Sequence, residues 1–599
     1  MRFNPLVPFV LLVASPFLGQ VSAVTTPLQA SAPNTINHFN ATAVVQNANH
    51  VFNAIHSALR QWGSSLNHNG MSAFIARVPA GVEFYHGTRT SEPVTGLEWL
   101  AFEPEHALQF AGMRPGGAPP GMRPPGLKEG DDNLERTWEP HWLQSPLKGP
   151  GPLSPPLPPP PQFASDGPAT PPPFPPPPPP FDAPPPHFAS DGPTPPLGNP
   201  PGGPPHGGFP GFPTKPGYLH TYVTKHELRL LYVDGMSAGK TQNGTLDLQD
   251  LVLRSLSRES DQPLFSDWQR ARDLCALAEL DSAWAGRIHG IVRMEAGFEV
   301  ILCDFTAHLE VVRITRAGLE HGEDGPAGAA MFAYFRAVLD RARSIGGRRA
   351  LLDFDRFVTA YSFGLDLFLD QSSSMPRLVN ASKTELARIK DAVTAMVLAE
   401  DNVNSHDWQG IVDLIVTRYS GRLQYMVSEA LTAPGALWSE LELTVRMFID
   451  YDARNVSAEV TRCTYHFMPE LPSDEPEDTK RKRESSLAAV AIIQVSQRLC
   501  STLFDAFKEK DENTAREKIK ELINWLQWTS WKECQGCGHD ELCAVPMWPW
   551  GAKQDHEKPS CANATAVQWR HGYWGGHGPG GGHPPFWRPG EPRNEEMTR

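Results

Sequence analysis

The chain has 599 residues, among them 61 prolines, 50 glycines and eight cysteines, and a formal net charge of −14. That acid excess, with no basic stripe to override it, argues against a nucleic-acid partner, whose binding depends on clustered Lys and Arg neutralising phosphates. The length allows more than one domain and a sizeable core.

At the start, Arg2 precedes an apolar run over 5–18 and the small-residue site Val21-Ser22-Ala23, the pattern of a secretory signal peptide over 1–23. No later run approaches the ~20 uncharged residues needed to cross a bilayer. The C-terminal tail is polar rather than a hydrophobic anchor signal. The expectation is a secreted protein, extracellular or in the cell wall, without stable membrane insertion. Five sequons, at Asn40, Asn243, Asn380, Asn455 and Asn563, fit an exported glycoprotein. An even cysteine count in an oxidising compartment makes disulfides the default.

In chain order, Val44, Val45, Ala48, Val51, Phe52, Ile55, Leu59 and Trp62 recur at helical spacing and predict one amphipathic helix ending at Gly63. An apolar run then enters Phe84-Tyr85-His86-Gly87-Thr88-Arg89. A second short strand, Trp99-Leu100-Ala101-Phe102, feeds a helix over 105–111. From 113 to 217 the composition collapses into Pro and Gly, with too little apolar side chain to offset the entropy of ordering. This stretch reads as disordered or polyproline II. The words Phe163-Ala164-Ser165-Asp166-Gly167-Pro168 and Phe188-Ala189-Ser190-Asp191-Gly192-Pro193 repeat within it. It is either a long insertion inside one domain, which loop-closure entropy tolerates, or a linker between two. Beyond it, 218–223, 228–234 and 298–305 read as strands and 268–280 as a helix. Residues 24–112 and 218–325 are therefore expected to form a mixed α and β domain.

Past Pro326 the periodicity is helical almost throughout, at 327–345, 383–399, 407–431, 437–451, 486–508 and 514–528. This predicts an α-helical domain over 326–530, with the charged patch 474–484 as a loop inside it. A Cys/Trp-rich segment at 531–565 and a disordered Gly/His/Pro tail at 566–599 follow.

The motif His86-Gly87-Thr88 after an apolar run, the strand and helix at 99–111, and a late strand opening on a glutamate resemble, in that order, an ADP-ribosyltransferase-type NAD-binding fold. The fold class implied is an α+β ADP-ribosyltransferase-like domain split by the Pro-rich insertion, joined to a mainly helical C-terminal domain. The resemblance implies NAD as co-substrate, with Tyr85, His86, Gly87, Thr88, Arg89, Trp99 and Phe102 as cofactor-binding residues. It puts His86 at the ribose and Gly87 at the nicotinamide amide. Glu299, with Glu295 as the alternate, is the implied catalytic carboxylate, stabilising positive charge on the ribose as the glycosidic bond breaks. Trp99 to Phe102 departs from the family's Ser-Thr-Ser form. The chain as a whole also resembles secreted fungal proteins with no assigned role.

Two other patterns compete. Asp234-Gly235-Met236-Ser237-Ala238-Gly239-Lys240-Thr241 ends like a phosphate-binding loop, but Asp234 stands where the first glycine belongs. Cys534, Cys537, Cys543 and Cys561 have spacing that suits zinc, while export favours two disulfides, so no metal is expected. Cys275, Cys303, Cys463 and Cys500 are either buried thiols or further disulfides. Two functional readings stand side by side. One is a secreted NAD-dependent ADP-ribosyltransferase-like enzyme acting on an unknown acceptor, with His86 and Glu299 converging across one pocket. The other is a non-catalytic secreted or wall-associated glycoprotein with a helical binding or scaffold domain and a surface partner, in which Glu299 faces solvent or a structural ion pair.

Overall fold

The strand-forming stretches come together in one sheet. The structure is a computed structural model that describes residues 40–111, 217–241, 243–257, 266–317, 336, 345–346, 348–368, 375–400, 406–469, 486–534, 536–546, 553–564 and 566. These all fall in a single compact unit. The expected signal peptide, nearly all of the Pro-rich stretch, the charged patch at 474–484, most of the helix expected at 327–345 and nearly all of the tail lie outside the described residues.

Among the described residues nine strands pair: β1 (Ser72–Val78), β2 (Glu83–Thr88), β3 (Glu98–Ala101), β4 (Tyr218–Thr224), β5 (Leu228–Val233), β6 (Gly290–Met294), β7 (Phe298–Leu302), β8 (Leu309–Arg316) and β9 (Leu351–Thr359). Their order across the sheet is β8-β4-β2-β3-β7-β6-β5-β1-β9. Only β5 and β6 run parallel; the other neighbours are antiparallel. β6 and β7 are buried along their whole length, which is why they read as near-continuous apolar runs rather than as alternating strands. β2 and β4, on either side of the Pro-rich stretch, are direct neighbours with Glu83↔Val223 through Thr88↔Tyr218 in register. The stretch therefore interrupts one sheet and does not link two.

Two expectations about local structure are corrected. The helix expected from Val44 to Gly63 is three: α1 (Ala41–Gln46), α2 (Ala48–Ser57) and α3 (Gln61–Leu66). The chain turns at Leu59, whose φ is 55° and whose amide donates to the Tyr232 hydroxyl at 3.2 Å. Gly63 sits inside α3, where a Cβ would lie 2.8 Å from the Ser57 Cα. Its role is close helix approach, not termination. The segment after Pro326 is also not helical throughout, because β9 pairs with β1 at Ser72↔Thr359 and Ala73↔Val358 and closes that edge of the sheet. Leu352, Phe354 and Phe357 are its buried apolar positions, and Phe357 stacks on Phe74 of β1 at 4.7 Å.

The remaining helices are α4 (Pro104–Leu108), α5 (Asp267–Ala278), α6 (Phe305–His308), α7 (Lys383–Leu398), α8 (Trp408–Val427), α9 (Ala436–Val445), α10 (Val456–Tyr465), α11 (Leu487–Lys508), α12 (Glu512–Leu526) and α13 (Lys553–Glu557). α7 begins with a capping box between Ser382 and Glu385, a signal legible from sequence. α11 is long and apolar enough to cross a membrane, yet Leu487, Ile492, Val495, Leu499, Leu503 and Phe504 are all buried inside the protein. Polar bonds stitch the N-terminal helices to the C-terminal ones. Asn49 and Asn53 donate to the Trp525 and Leu526 carbonyls at 2.8 and 2.9 Å. Arg60 grips Asp413 of α8 with both terminal nitrogens. Helices and sheet thus share one core rather than forming separate ones.

All eight cysteines are paired. Cys275–Cys303 ties α5 to the end of β7, and Cys463–Cys500 ties α10 to α11. Cys534–Cys543 and Cys537–Cys561 brace a small hairpin of β10 (Glu541–Ala544) and β11 (Ser560–Asn563).

Candidate functional site

The three motif strands β2, β3 and β7 lie side by side, although Glu299 is more than two hundred residues from Tyr85. The register runs Tyr85↔Ala101 and Ala101↔Glu299, so these residues form one row across the sheet. Directly paired residues share a face, and neighbours along a strand alternate. Tyr85, Gly87, Trp99 and Glu299 therefore occupy one face, and His86, Thr88 and Phe102 the other. The convergence expected of His86 and Glu299 does not occur, since a period of two places them on opposite sides.

On the first face Glu299 is enclosed by charge. Arg293, its cross-strand partner on β6, donates from Nε to Oε1 at 2.6 Å. The His106 ring of α4 stands 3.9 Å from Oε2. Arg293 also reaches Asp267 at 3.4 Å. Asp267 binds Lys240 at 2.8 Å and Arg270 at 2.5 Å, and Lys240 binds Glu295 at 2.6 Å. Arg270 continues to Asp250 at 2.8 Å. Burial by itself pushes the Glu299 carboxyl up, but Arg293, His106 and Lys240 outweigh it and hold the group at about 2. The Lys240 ammonium is held charged against its burial by Asp267 and Glu295. Glu299 is 8 % exposed and Arg293 1 %. Both candidate carboxylates, Glu299 and Glu295, are thus partners in a structural ion network.

Helix α4 lies over this same face. A Cβ on Gly87 would come 1.9 Å from the Ala107 carbonyl oxygen and 2.8 Å from the Ala111 amide. The glycine is needed for the chain's own helix to approach. Trp99 packs edge-on against Trp268 of α5 at 4.6 Å. Tyr85 donates its hydroxyl to Glu83 at 3.1 Å. Arg89 lies half-buried just past the end of β2.

On the second face the His86 ring donates from Nδ1 to the Trp99 carbonyl at 2.7 Å, which sets its tautomer. Burial lowers its pKa to about 4 despite that bond, so the ring is neutral. Phe305 and His220 surround it at 5.9 and 6.1 Å. Phe102 packs on Phe84 at 4.7 Å, with Arg349 over its ring.

The loop that ends like a phosphate-binding motif does other work. The Asp234 carboxylate accepts the Ser72 amide at 2.8 Å, and Lys240 is consumed by Asp267 and Glu295. One described cavity, of about 140 Å³, is lined by Leu365, Asp366, Leu367, Arg377, Asn380, Ala381 and Glu385 and shares no residue with the motifs.

Sequence reasoning missed Arg293, Lys240, Asp267, Arg270 and His106 as partners of Glu299. Arg293 alone carried a signal, because a charged residue six positions before Glu299 in an apolar hairpin must have a counter-charge.

A family described as the YPL277C N-terminal domain matches residues 34–137 and 212–320. The match breaks within the Pro-rich stretch, between 137 and 212, and takes in both β2 and β4, in agreement with their pairing. Two curated relatives from Saccharomyces cerevisiae are similar to the chain. The uncharacterized protein YOR389W is 25% identical over 591 residues, covering 84% of this chain and 82% of the relative. The uncharacterized protein YPL277C is 30% identical over 294 residues, 48% of this chain and 47% of the relative. No solved structure matches significantly. The chain's likeness is thus to a family of uncharacterised fungal proteins, and none of these matches is to an ADP-ribosyltransferase.

Proposed function

We propose that this is a non-catalytic secreted glycoprotein, in which the sheet braces a helical surface that binds or scaffolds a partner. One observation carries the reading: the carboxylate at the position expected of a catalytic glutamate is buried against Arg293 at 2.6 Å. A carboxylate that must meet a developing cation on substrate has to be reachable and uncommitted. Glu299 is neither. The opposite facing of His86 and the seating of α4 on Gly87 support the same reading.

One feature favours the other reading, NAD-dependent ADP-ribosyl transfer. β2, β3 and β7 are adjacent, in the arrangement that three motifs acting together require. Nicotinamide release from NAD separates the two. The mature glycosylated protein is expected to release none above background, and Glu299→Gln to lower its stability. Release by the wild type that vanishes in a folded Glu299→Gln protein would overturn the proposal and establish the enzyme.

A further inference from the structure

We propose that His226, His289 and His308 form a binding site for a divalent first-row metal ion of the Zn²⁺ type. The three come from separate elements at one end of the sheet. His226 stands in the turn between β4 and β5, His289 immediately before β6, and His308 at the end of α6 before the edge strand β8. Their ligand nitrogens all lie within 4.8 Å of one another. The rings stand 5.5, 5.2 and 4.4 Å apart.

The distances suit coordination. His226 Nε2 and His308 Nδ1 are 3.2 Å apart. Two nitrogens at tetrahedral angles around zinc, each about 2.0–2.1 Å from it, are separated by about 3.3 Å. His226 donates its other ring nitrogen, Nδ1, to the Glu227 carbonyl at 2.9 Å. That second bond leaves Nε2 as a lone pair facing the cluster, as in metal-binding histidines generally. His289 accepts the Arg229 amide on Nδ1 at 3.1 Å. A neutral imidazole has one lone-pair nitrogen, so ligation by His289 requires the ring to exchange the Arg229 amide for the metal.

The backbone holds the cluster in place. The Lys225 amide donates to the His308 carbonyl at 3.0 Å, and the His289 amide donates to the Arg229 carbonyl at 2.8 Å. The Cys303 amide donates to the His289 carbonyl at 3.0 Å, next to the Cys275–Cys303 disulfide. His226 is exposed, so the remaining coordination position faces solvent. Imidazole donors without a carboxylate select Zn²⁺-type ions over Ca²⁺ and Mg²⁺.

The test is Zn²⁺ uptake and thermal shift of the full glycosylated chain, purified without a histidine tag. It compares the wild type, His308→Ala, His226→Gln and a tail variant carrying His571→Gln, His577→Gln and His583→Gln. The expected result is one tightly held Zn²⁺ and a raised Tm in the wild type and the tail variant. Both are lost in His226→Gln, an exposed turn change that leaves the fold intact even if His308→Ala does not, and Ca²⁺ gives no shift. No uptake by the wild type, uptake that persists in His226→Gln, or uptake lost only in the tail variant would overturn the proposal.

Discussion

Arg293 and Glu299 face each other across the β6–β7 hairpin, with Nε donating to Oε1 at 2.6 Å and both side chains withdrawn from solvent. The pair joins sheet to helix through Asp267, because Arg293 reaches both carboxylates. Breaking such a pair is costly, since it strands a charge where water cannot solvate it.

Glu299→Ala is accordingly expected to lose about 3–5 kcal/mol of unfolding free energy. Replacing the pair together, Glu299→Leu with Arg293→Met, should lose less than the sum of the single changes, because no charge is left alone. Urea unfolding of the protein reads both. A stable Glu299→Ala protein would mean that the network is not structural.

The same pair gives an acid limb to stability. Glu299 is held at about 2 against an ordinary 4.5. A lowered folded-state pKa means that the unfolded chain binds the proton first. Its contribution is therefore complete above pH 4.5 and is lost as pH falls from there towards 2. The Tm curves of wild type and Glu299→Gln should differ at pH 6 and draw together below pH 3. Parallel curves would remove Glu299 from the acid transition.

Asp234 runs the other way. Burial raises its carboxyl to about 7 from 3.8, against the opposing bonds from Ser72. A raised folded-state pKa favours folding below the ordinary value, and that contribution is lost as pH rises through 7. Asp234→Asn keeps an acceptor for the Ser72 amide and removes the charge. The variant's Tm should match the wild type near pH 4 and exceed it at pH 8. A lower Tm at pH 8 would contradict this.

Gly87→Ala tests whether the glycine serves helix approach. The added methyl would meet the Ala107 carbonyl, so α4 must shift, at a cost of about 1–3 kcal/mol. Thermal unfolding is the measurement, and an unchanged Tm would free Gly87 for another role.

Much of the architecture was legible residue by residue. Apolar runs announced β2, β4, β5 and β7, helical periodicity announced α7, and the even cysteine count announced disulfides, with Cys275, Cys303, Cys463 and Cys500 left open between thiols and the bridges they form. β9 was missed although Leu351–Thr359 partly alternates, because long helical periodicities on its far side drew it into a helical domain. β8 escaped because it is an edge strand exposed along most of its length and so lacks an apolar pattern.

The amino-acid sequence by itself determined where most of the helices and the apolar strands form, since periodicity acts over a few residues. Only the tertiary structure decided what faces what. His86 and Glu299 stand on motif strands separated only by β3, but the register through Ala101 puts their side chains on opposite faces. Lys240, Asp267 and Arg293 become one ion network, and His226, His289 and His308 one cluster, through pairings between distant segments. A one-residue slip in such pairings reverses every face, and no local pattern encodes that choice.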